Sequence, residues 1–333
     1  MKQIKINFVG FWNTLNKTNN IFFNLLSKYF DVIISDNPDY LFVSCFNGFL
    51  DHFNYPNAIK IFYSGEDISP DFNFFDYCIG YNDFLCGDRY LQFPVYLHHE
   101  TLKEFNLSKI SNNEANECIK KKDIFCNLIY KEDRFDNKRS LVFKLLNQYK
   151  KVESFGELLN NQKNNMTVSY INIEEKFSVL RRSKFTIAAD SVDLDDFVTE
   201  KIHHAILCNT IPIYIGTNKI TKYYNKDRFI NCNDFNSLEE MVDYVIKIDK
   251  DDALYLKMIT AEPLVDCDYI KNRYCALDSF LFNIFNKNLT DAYKRPLTGK
   301  IIKSWTKEMS EYRAIRLKPL VRIERKINRS KHK

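Results

Sequence analysis

Three short stretches of the chain carry side chains whose type and spacing could do chemistry. Phe62-Tyr63-Ser64-Gly65-Glu66-Asp67 sets a carboxylate just past an apolar run, beside a glycine that permits a tight turn. A carboxylate placed there could take a proton from a hydroxyl. Glu66 and Asp67 would equally serve to cap the turn that follows. Phe197-Val198-Thr199-Glu200-Lys201-Ile202 reads as a helix start, with Thr199 at the N-cap and Glu200 and Lys201 in the first turn. Free N–H groups and the helix dipole favour an anion at that point. A lysine runs against the local preference for an acid, so it marks either an anion site or a plain surface charge. Arg139 follows a polar loop and opens the helix Arg139–Asn147. Its fork suits phosphate oxygens, and a lone Arg there is as readily a surface charge.

Other candidates are weaker. Asp193-Leu194-Asp195 has the Asp-x-Asp spacing of a metal-held nucleotide sugar, and reads here as a solvated loop. The pairs His98-His99 and His203-His204 point in different directions if helical and lack an acidic partner at metal-ligand spacing. The nine cysteines form no C-x-x-C and are odd in number, which predicts neither a zinc site nor a disulfide framework and fits a reducing compartment.

The elements that must position these residues alternate. Strands are expected over Gln3–Trp12, Asp31–Ser35, Tyr40–Phe46, Ala58–Tyr63 and Tyr77–Tyr81, with a helix over Asn19–Phe30. Residues 101–122 are polar and without apolar period, and read as a linker. A second series follows: strand Asp123–Tyr130, helix Lys138–Tyr149, helix Glu174–Ser183, strand Lys184–Ala189, helix Thr199–Leu207 and strand Ile211–Gly216. Ser237 and Glu240 read as a capping box opening a helix through Ile248, and Asp251–Thr260 as another helix. The pattern predicts two α/β domains with mostly parallel sheets, over 1–118 and 119–285, followed by a C-terminal segment, 286–333. Ligands of such sheets bind at the carboxyl ends of the strands, which is why strand-end residues carry the most weight.

Composition narrows the classes. The 333 residues are 45% hydrophobic and 27% charged, an ordinary soluble balance, with 28 Phe and 20 Tyr to fill a core. Eight glycines, widely spaced, exclude a Walker loop and the usual dinucleotide fingerprint. The net charge of +5 is uneven: residues 301–333 hold eleven Lys or Arg against three Glu, a net +8 that leaves −3 for the rest. An acidic body without nucleic-acid motifs argues against a nucleic-acid partner.

Together the motifs carry a family resemblance. Ser64–Phe72, Phe75–Tyr81 and Asp88–Leu91 resemble the N-terminal half of the bacterial α-1,3-fucosyltransferases, glycosyltransferase family 10. Phe197–Ile202 with Asn209–Gly216, continued by Phe229-Ile230-Asn231 and Asp234-Phe235, resembles that family's donor-site signature, so the resemblance runs over about residues 60 to 265. It implies a GT-B fold, two facing Rossmann-like domains with a cleft, the acceptor on the first and the nucleotide sugar on the second. It implies inverting transfer of L-fucose from GDP-fucose to an N-acetylglucosamine-containing surface glycan, as in lipopolysaccharide biosynthesis or protein glycosylation. By position, Glu66 falls on the general base, Arg139 and Lys201 on the diphosphate-binding cations, and Glu200 on a donor-contacting carboxylate, with Ser191 and Phe197 in the donor pocket. No metal is required, with Mn²⁺ or Mg²⁺ at most stimulatory. Departures at Ala189-Asp190-Ser191-Val192, Phe197 and Ile215 keep two alternatives open: another GDP-sugar or linkage, and a catalytically silent glycan-binding protein.

The C-terminal segment has its own reading. Ile301, Ile302, Trp305, Met309 and Tyr312 make one apolar helical stripe, and Leu320, Val321, Ile323 and Ile327 lie among arginines and lysines. Apolar beside basic is the pattern of an interfacial helix, so the 301–333 tail is expected to bind anionic membrane surfaces. The stripe around Trp305 packed back on the N-terminal domain is the alternative. With no leader or spanning run visible, the expected location is cytoplasmic and peripherally membrane-associated.

Overall fold

In the computed structural model, residues 1–46, 48–98, 107–133, 137–168, 172–293, 295 and 299–317 are described. Contacts divide the chain into two units, Met1–Phe93 with Cys275–Lys333, and Pro94–Tyr274.

The first unit is built on a six-stranded parallel sheet. Its strands are β1 (Gln3–Val9), β2 (Asp31–Ile34), β3 (Tyr40–Val43), β4 (Ile59–Tyr63), β5 (Tyr77–Gly80) and β6 (Tyr90–Gln92), in the order β2-β1-β3-β4-β5-β6. Every residue of β3, β4 and β5 is buried, as expected of parallel strands covered on both faces. Helix α1 (Ile21–Leu26) connects β1 to β2, and Asn20 caps it by accepting from the N–H groups of Phe22 and Phe23. One face buries Leu41, Val43, Phe62, Phe75 and Cys78 in a common cluster.

The second unit repeats the plan. Strands β7 (Ile124–Leu128), β8 (Val152–Ser154), β9 (Ser183–Ala189), β10 (Ile211–Ile215) and β11 (Ile230–Asn231) are all parallel, in the order β11-β10-β9-β7-β8. Helices α2 (Asn112–Ile119), α3 (Lys138–Tyr149), α4 (Ile173–Arg182), α5 (Glu200–Leu207), α6 (Leu238–Lys250) and α7 (Asp252–Ile259) belong to this unit. Ser237 caps α6 by accepting from Glu240 N, while Glu240 turns back to Asn236 rather than to Ser237.

Counted from its first strand, each sheet begins with the order 2-1-3-4-5. In both, the chain reverses direction between the first and third strands, and the crevice of a doubly wound sheet opens at that point, off the carboxyl ends.

The contact division differs from the ranges 1–118, 119–285 and 286–333: the first boundary falls after Phe93, the second within a helix after Tyr274, and 286–333 belongs to the first unit. The polar stretch read as a linker contains α2, closed by a capping box between Ser111 and Glu114, and its Ala115 is buried in the core of the second unit. Helix α8 (Tyr269–Asn286) starts in the second unit and ends in the first. Helix α9 (Lys300–Leu317) follows it. Ile302 of α9 is buried, whereas Ile301 is 68% and Trp305 45% exposed, so the expected stripe divides between an inward and an outward face. The Tyr312 side chain and residues 318–333 lie outside the described residues.

Candidate active site

The second unit's crevice is formed where β7 and β9 end. Tyr130 lies just beyond β7 and Asp190 is the first residue after β9. The Tyr130 hydroxyl donates towards the carbonyls of Ile187 and Ala189 at 3.0 and 3.1 Å and accepts from Ala189 N at 2.6 Å. Asp190 is fully buried. Its Oδ1 accepts from Thr199 N at 3.1 Å and from the Thr199 hydroxyl, and its Oδ2 accepts from Tyr214 OH at 2.6 Å. Burial raises the Asp190 carboxyl above its ordinary value, against the pull of Lys201, Thr199 and Tyr214. Gly216 is fixed by this knot: a Cβ there would stand 2.3 Å from Tyr214 Oη and 2.7 Å from Asp190 Oδ2.

Thr199 occupies the N-cap position of α5 but does not cap it. Its hydroxyl is committed to Asp190 and accepts instead from Lys201 Nζ at 3.1 Å. The first-turn N–H groups of α5 therefore lack their usual side-chain acceptor, and the Lys201 ammonium is held beside them. Burial by itself would lower the Lys201 pKa. Glu200, Tyr130 and Asp190 outweigh it and hold the ammonium above its ordinary value, hence charged. Glu200 lies 3.6 Å from Lys201 and 3.7 Å from Lys176 of α4. Burial pushes its carboxyl up, but these two ammoniums prevail and keep it well below the carboxylate range.

Arg139, the second residue of α3, is 3% exposed. It is not the open fork that the sequence suggests. NH1 donates to Glu132 O at 3.0 Å, NH2 donates to Ala189 O at 3.2 Å and Asp190 O at 2.8 Å, and the guanidinium lies 4.1 Å over the Tyr130 ring. Its Nε is buried without a hydrogen-bond partner. The segment Ala189-Asp190 thus holds both cations, Arg139 through main-chain carbonyls and Lys201 through Thr199. Ser191 is partly exposed next to this segment, and Phe197 is buried.

In the first unit the crevice opens where β1 and β3 end. Gly10, at φ +71°, lets the chain pass so close that a Cβ would lie 2.3 Å from Ser44 O. Phe46 N donates to Gly10 O at 2.7 Å, which brings the Trp12 and Phe46 rings edge to face at 5.4 Å. Glu66 lies exposed past β4, in a turn shaped by the Ser64 hydroxyl, which donates to Glu66 O at 2.9 Å and to Ile68 O at 2.5 Å. The same strand-end geometry that selected Glu66 thus holds.

Neither the Asp-x-Asp stretch nor the histidine pairs form a metal-ligand cluster among the described residues. Asp195 is exposed and pairs with Lys219 at 3.0 Å. His203 Nδ1 meets Tyr224 OH at 3.0 Å and His204 Nδ1 meets Lys176 Nζ at 3.2 Å, both buried in α5. The His98 side chain and His99 lie outside the described residues. The grouping among them with ligand spacing is Asp266, Cys267 and Asp268, all exposed. The sequence reading missed Asp190 as a site residue, though a carboxylate directly after a strand is the signal that picked out Glu66. It also missed Tyr130 and Lys176, which no local pattern marks, and did not single out Tyr214 within the Asn209–Gly216 signature.

Residues 6–99 match the family model described as Alpha-(1,3)-fucosyltransferase FucT N-terminal domain, and residues 119–262 that of Glycosyltransferase family 10 (fucosyltransferase) C-term. The Alpha-(1,3)-fucosyltransferase FucT of Helicobacter pylori is 28% identical over 281 residues, covering 75% of this chain and 57% of that protein. The Putative fucosyltransferase R654 of Acanthamoeba polyphaga mimivirus is 28% identical over 216 residues, 63% of this chain and 34% of that one. The chain thus spans from about a third to a little over half of the length of these relatives. The crystal structure of an alpha1,3-fucosyltransferase with GDP superimposes with a TM-score of 0.69 at 24% identity, covering 89% of this chain and 93% of that chain. That likeness shows the fold, α/β of the GT-B class.

Proposed function

The chain belongs to glycosyltransferase family 10, and on that premise we propose that it is an inverting fucosyltransferase. It takes L-fucose from GDP-fucose and joins it through an α-1,3 linkage to a sugar hydroxyl of an N-acetylglucosamine-containing glycan. The observation that carries this reading is the Asp190–Thr199–Lys201 junction. A charged ammonium and uncapped helix N–H groups stand together where a doubly wound sheet binds its ligand, the arrangement a diphosphate needs.

The acceptor hydroxyl oxygen attacks the anomeric carbon of fucose while the bond from that carbon to the β-phosphate oxygen breaks. Glu66 takes the hydroxyl proton as the new bond forms, because a neutral hydroxyl is a poor nucleophile. One displacement inverts the anomeric centre. GDP departs with added negative charge, which Lys201 and the α5 N-terminus receive. Arg139 contributes its fixed positive charge through the Ala189-Asp190 segment it holds, and Ser191, Phe197 and Glu200 shape the donor pocket. The Trp12 and Phe46 rings, with Phe46 against Gly65 next to Glu66, supply aromatic surface for the apolar face of an acceptor sugar. Cationic side chains take the role of a metal ion in this reading.

The test is a panel of GDP-sugars scored for GDP release with and without N-acetyllactosamine, in EDTA and in Mn²⁺. Acceptor-dependent release from GDP-fucose in EDTA supports the reading. Release from another GDP-sugar alone would move it to that sugar, and complete loss in EDTA restored by Mn²⁺ would promote Asp193 and Asp195.

The 301–333 tail binds anionic membrane surfaces. No helix among the described residues is long and apolar enough to cross a membrane. The support is the net +8 of the tail and the outward Ile301 and Trp305 on α9. A chain truncated after Leu317 should keep activity on a soluble acceptor and lose co-sedimentation with anionic liposomes.

A further inference from the structure

The first unit contains a cavity of about 350 Å³ that the transfer reaction does not use. It lies under the start of α9, against the 3₁₀ segment Phe49–Asn54 and the first residues of β4, at the amino end of that strand. Phe53, Phe74 and Ile302 supply apolar wall, and Lys60, Arg295 and Lys303 supply three cations.

Lys60 is the unusual member. Its side chain is carried inside the fold at 3% exposure. The ammonium stands 3.1 Å from His52 Nδ1 and 5.7 Å from the centre of the Phe53 ring. Among the described residues no carboxylate forms an ion pair with it. The neighbouring acid, Asp76, is committed elsewhere. It accepts from the Arg295 guanidinium at 2.5 Å, from Arg295 N and from Lys60 N. Arg295 is further fixed by the carbonyls of Ala58 and Pro56 at 3.1 and 2.8 Å. The Asp76 carboxylate is therefore spent on Arg295 and on backbone N–H groups. Burial and the charge of Arg295 lower the Lys60 ammonium to about 7. A buried lysine whose ammonium has no ion-pair partner is costly to keep unless something anionic visits it.

We propose that this cavity binds a phosphate group, presented by a soluble phosphate ester or by a phospholipid headgroup, with Lys60 and Lys303 as the cations that meet it. Phosphate is preferred because its oxygens can take the donors of Lys60, Lys303 and Asn57 together, while the apolar wall accommodates the carbon body attached to it. Exposed Ile301 and Trp305 flank Ile302 and Thr306 on the same helix, so a lipid entering headgroup first would leave its chains beside them. This site is independent of the donor reading, because none of its residues belongs to the second unit.

The test uses the full chain carrying Lys201→Ala, so that the candidate donor site contributes nothing. Glycerol 1-phosphate should raise the unfolding temperature by about 2–4 °C at saturation. Lys60→Met should abolish that rise while leaving the ligand-free unfolding temperature equal or higher, since an apolar chain of similar length replaces a buried cation. Lys303→Glu, at an exposed position that does not threaten folding, should abolish it too. In parallel, flotation with vesicles of phosphatidylglycerol in phosphatidylcholine is compared with phosphatidylcholine alone. A response to glycerol 1-phosphate assigns a soluble ester. Vesicle binding that both substitutions weaken about tenfold, without a soluble response, assigns a headgroup. The proposal is overturned if neither probe responds, or if both substitutions leave every response unchanged.

Discussion

Lys201 and Asp190 share one hydroxyl. Thr199 Oγ1 accepts from the ammonium at 3.1 Å and donates to the carboxylate. Asp190 thereby orients the ammonium through one shared hydroxyl rather than by direct contact.

Thr199→Val keeps the volume and removes that hydroxyl. GDP binding should weaken about tenfold, or ~1.4 kcal/mol, by calorimetry. Thr199→Ser should restore it. Equal GDP affinity in the Val and Ser variants would mean that Lys201 needs no such orientation.

Lys201 and Arg139 should separate in their effects. Lys201→Ala should lower GDP affinity and turnover with little loss of stability. Arg139→Ala should lower both and also cost about 3 kcal/mol in urea unfolding. It strips the donors from the Glu132, Ala189 and Asp190 carbonyls and the cover from the Tyr130 ring. Arg139→Lys should not rescue it, because one ammonium cannot both stack and fork. A stable Arg139→Ala protein would contradict the inward geometry.

Glu66→Gln should reduce transfer by about 10²–10⁴-fold with GDP affinity unchanged, since Glu66 belongs to the first unit and Lys201 and Arg139 to the second. Parallel transfer and calorimetric titrations decide it. Turnover like that of the unmodified chain removes Glu66 as base.

Asp249 anchors a structural pair far from chemistry. It accepts from Lys184 at 2.6 Å, Lys150 at 2.5 Å and Tyr149 at 3.0 Å. Burial would raise its carboxyl, but the two lysines prevail and hold it below its ordinary value. A depressed folded pKa contributes stability that is present above the unfolded value near ~3.9 and fades as pH falls below it. Asp249→Asn should therefore cost about 2 kcal/mol at pH 7, discounted for the exposure of Lys150, and the difference should shrink steadily as pH falls from the unfolded value through the folded one. A pH-independent difference in thermal melts would refute this assignment.

Local signals made much of the architecture legible. Helix Lys138–Tyr149 falls within its predicted bounds, and the strands ending at Tyr63 and Ala189 stop where punctuation in the sequence stops them. Glu66 and Lys201 were visible because strand ends and helix starts are local features. Helix α2 was not, since its capping box is polar and Ala115 is its one buried residue. The turn of Arg139 into the fold was not either: two of its acceptors lie about 50 residues along the chain and are backbone atoms that any sequence would supply. Helix α8 did leave a trace in Leu277, Leu281 and Ile284, all buried at helical spacing, which the range 119–285 gave to the second domain although contacts place them in the first unit.

The discontinuous first unit sets an order on synthesis. As the chain leaves the ribosome, all six strands of the first sheet emerge before any of the residues that complete its core. Asp76 waits for Arg295, more than two hundred residues later, and Lys2 for the carbonyl of Phe285. The continuous second unit can close first. Until the C-terminal helices arrive, the nascent first sheet holds a buried aspartate without its arginine and an uncovered apolar face, and it is in that interval that a chaperone would be needed.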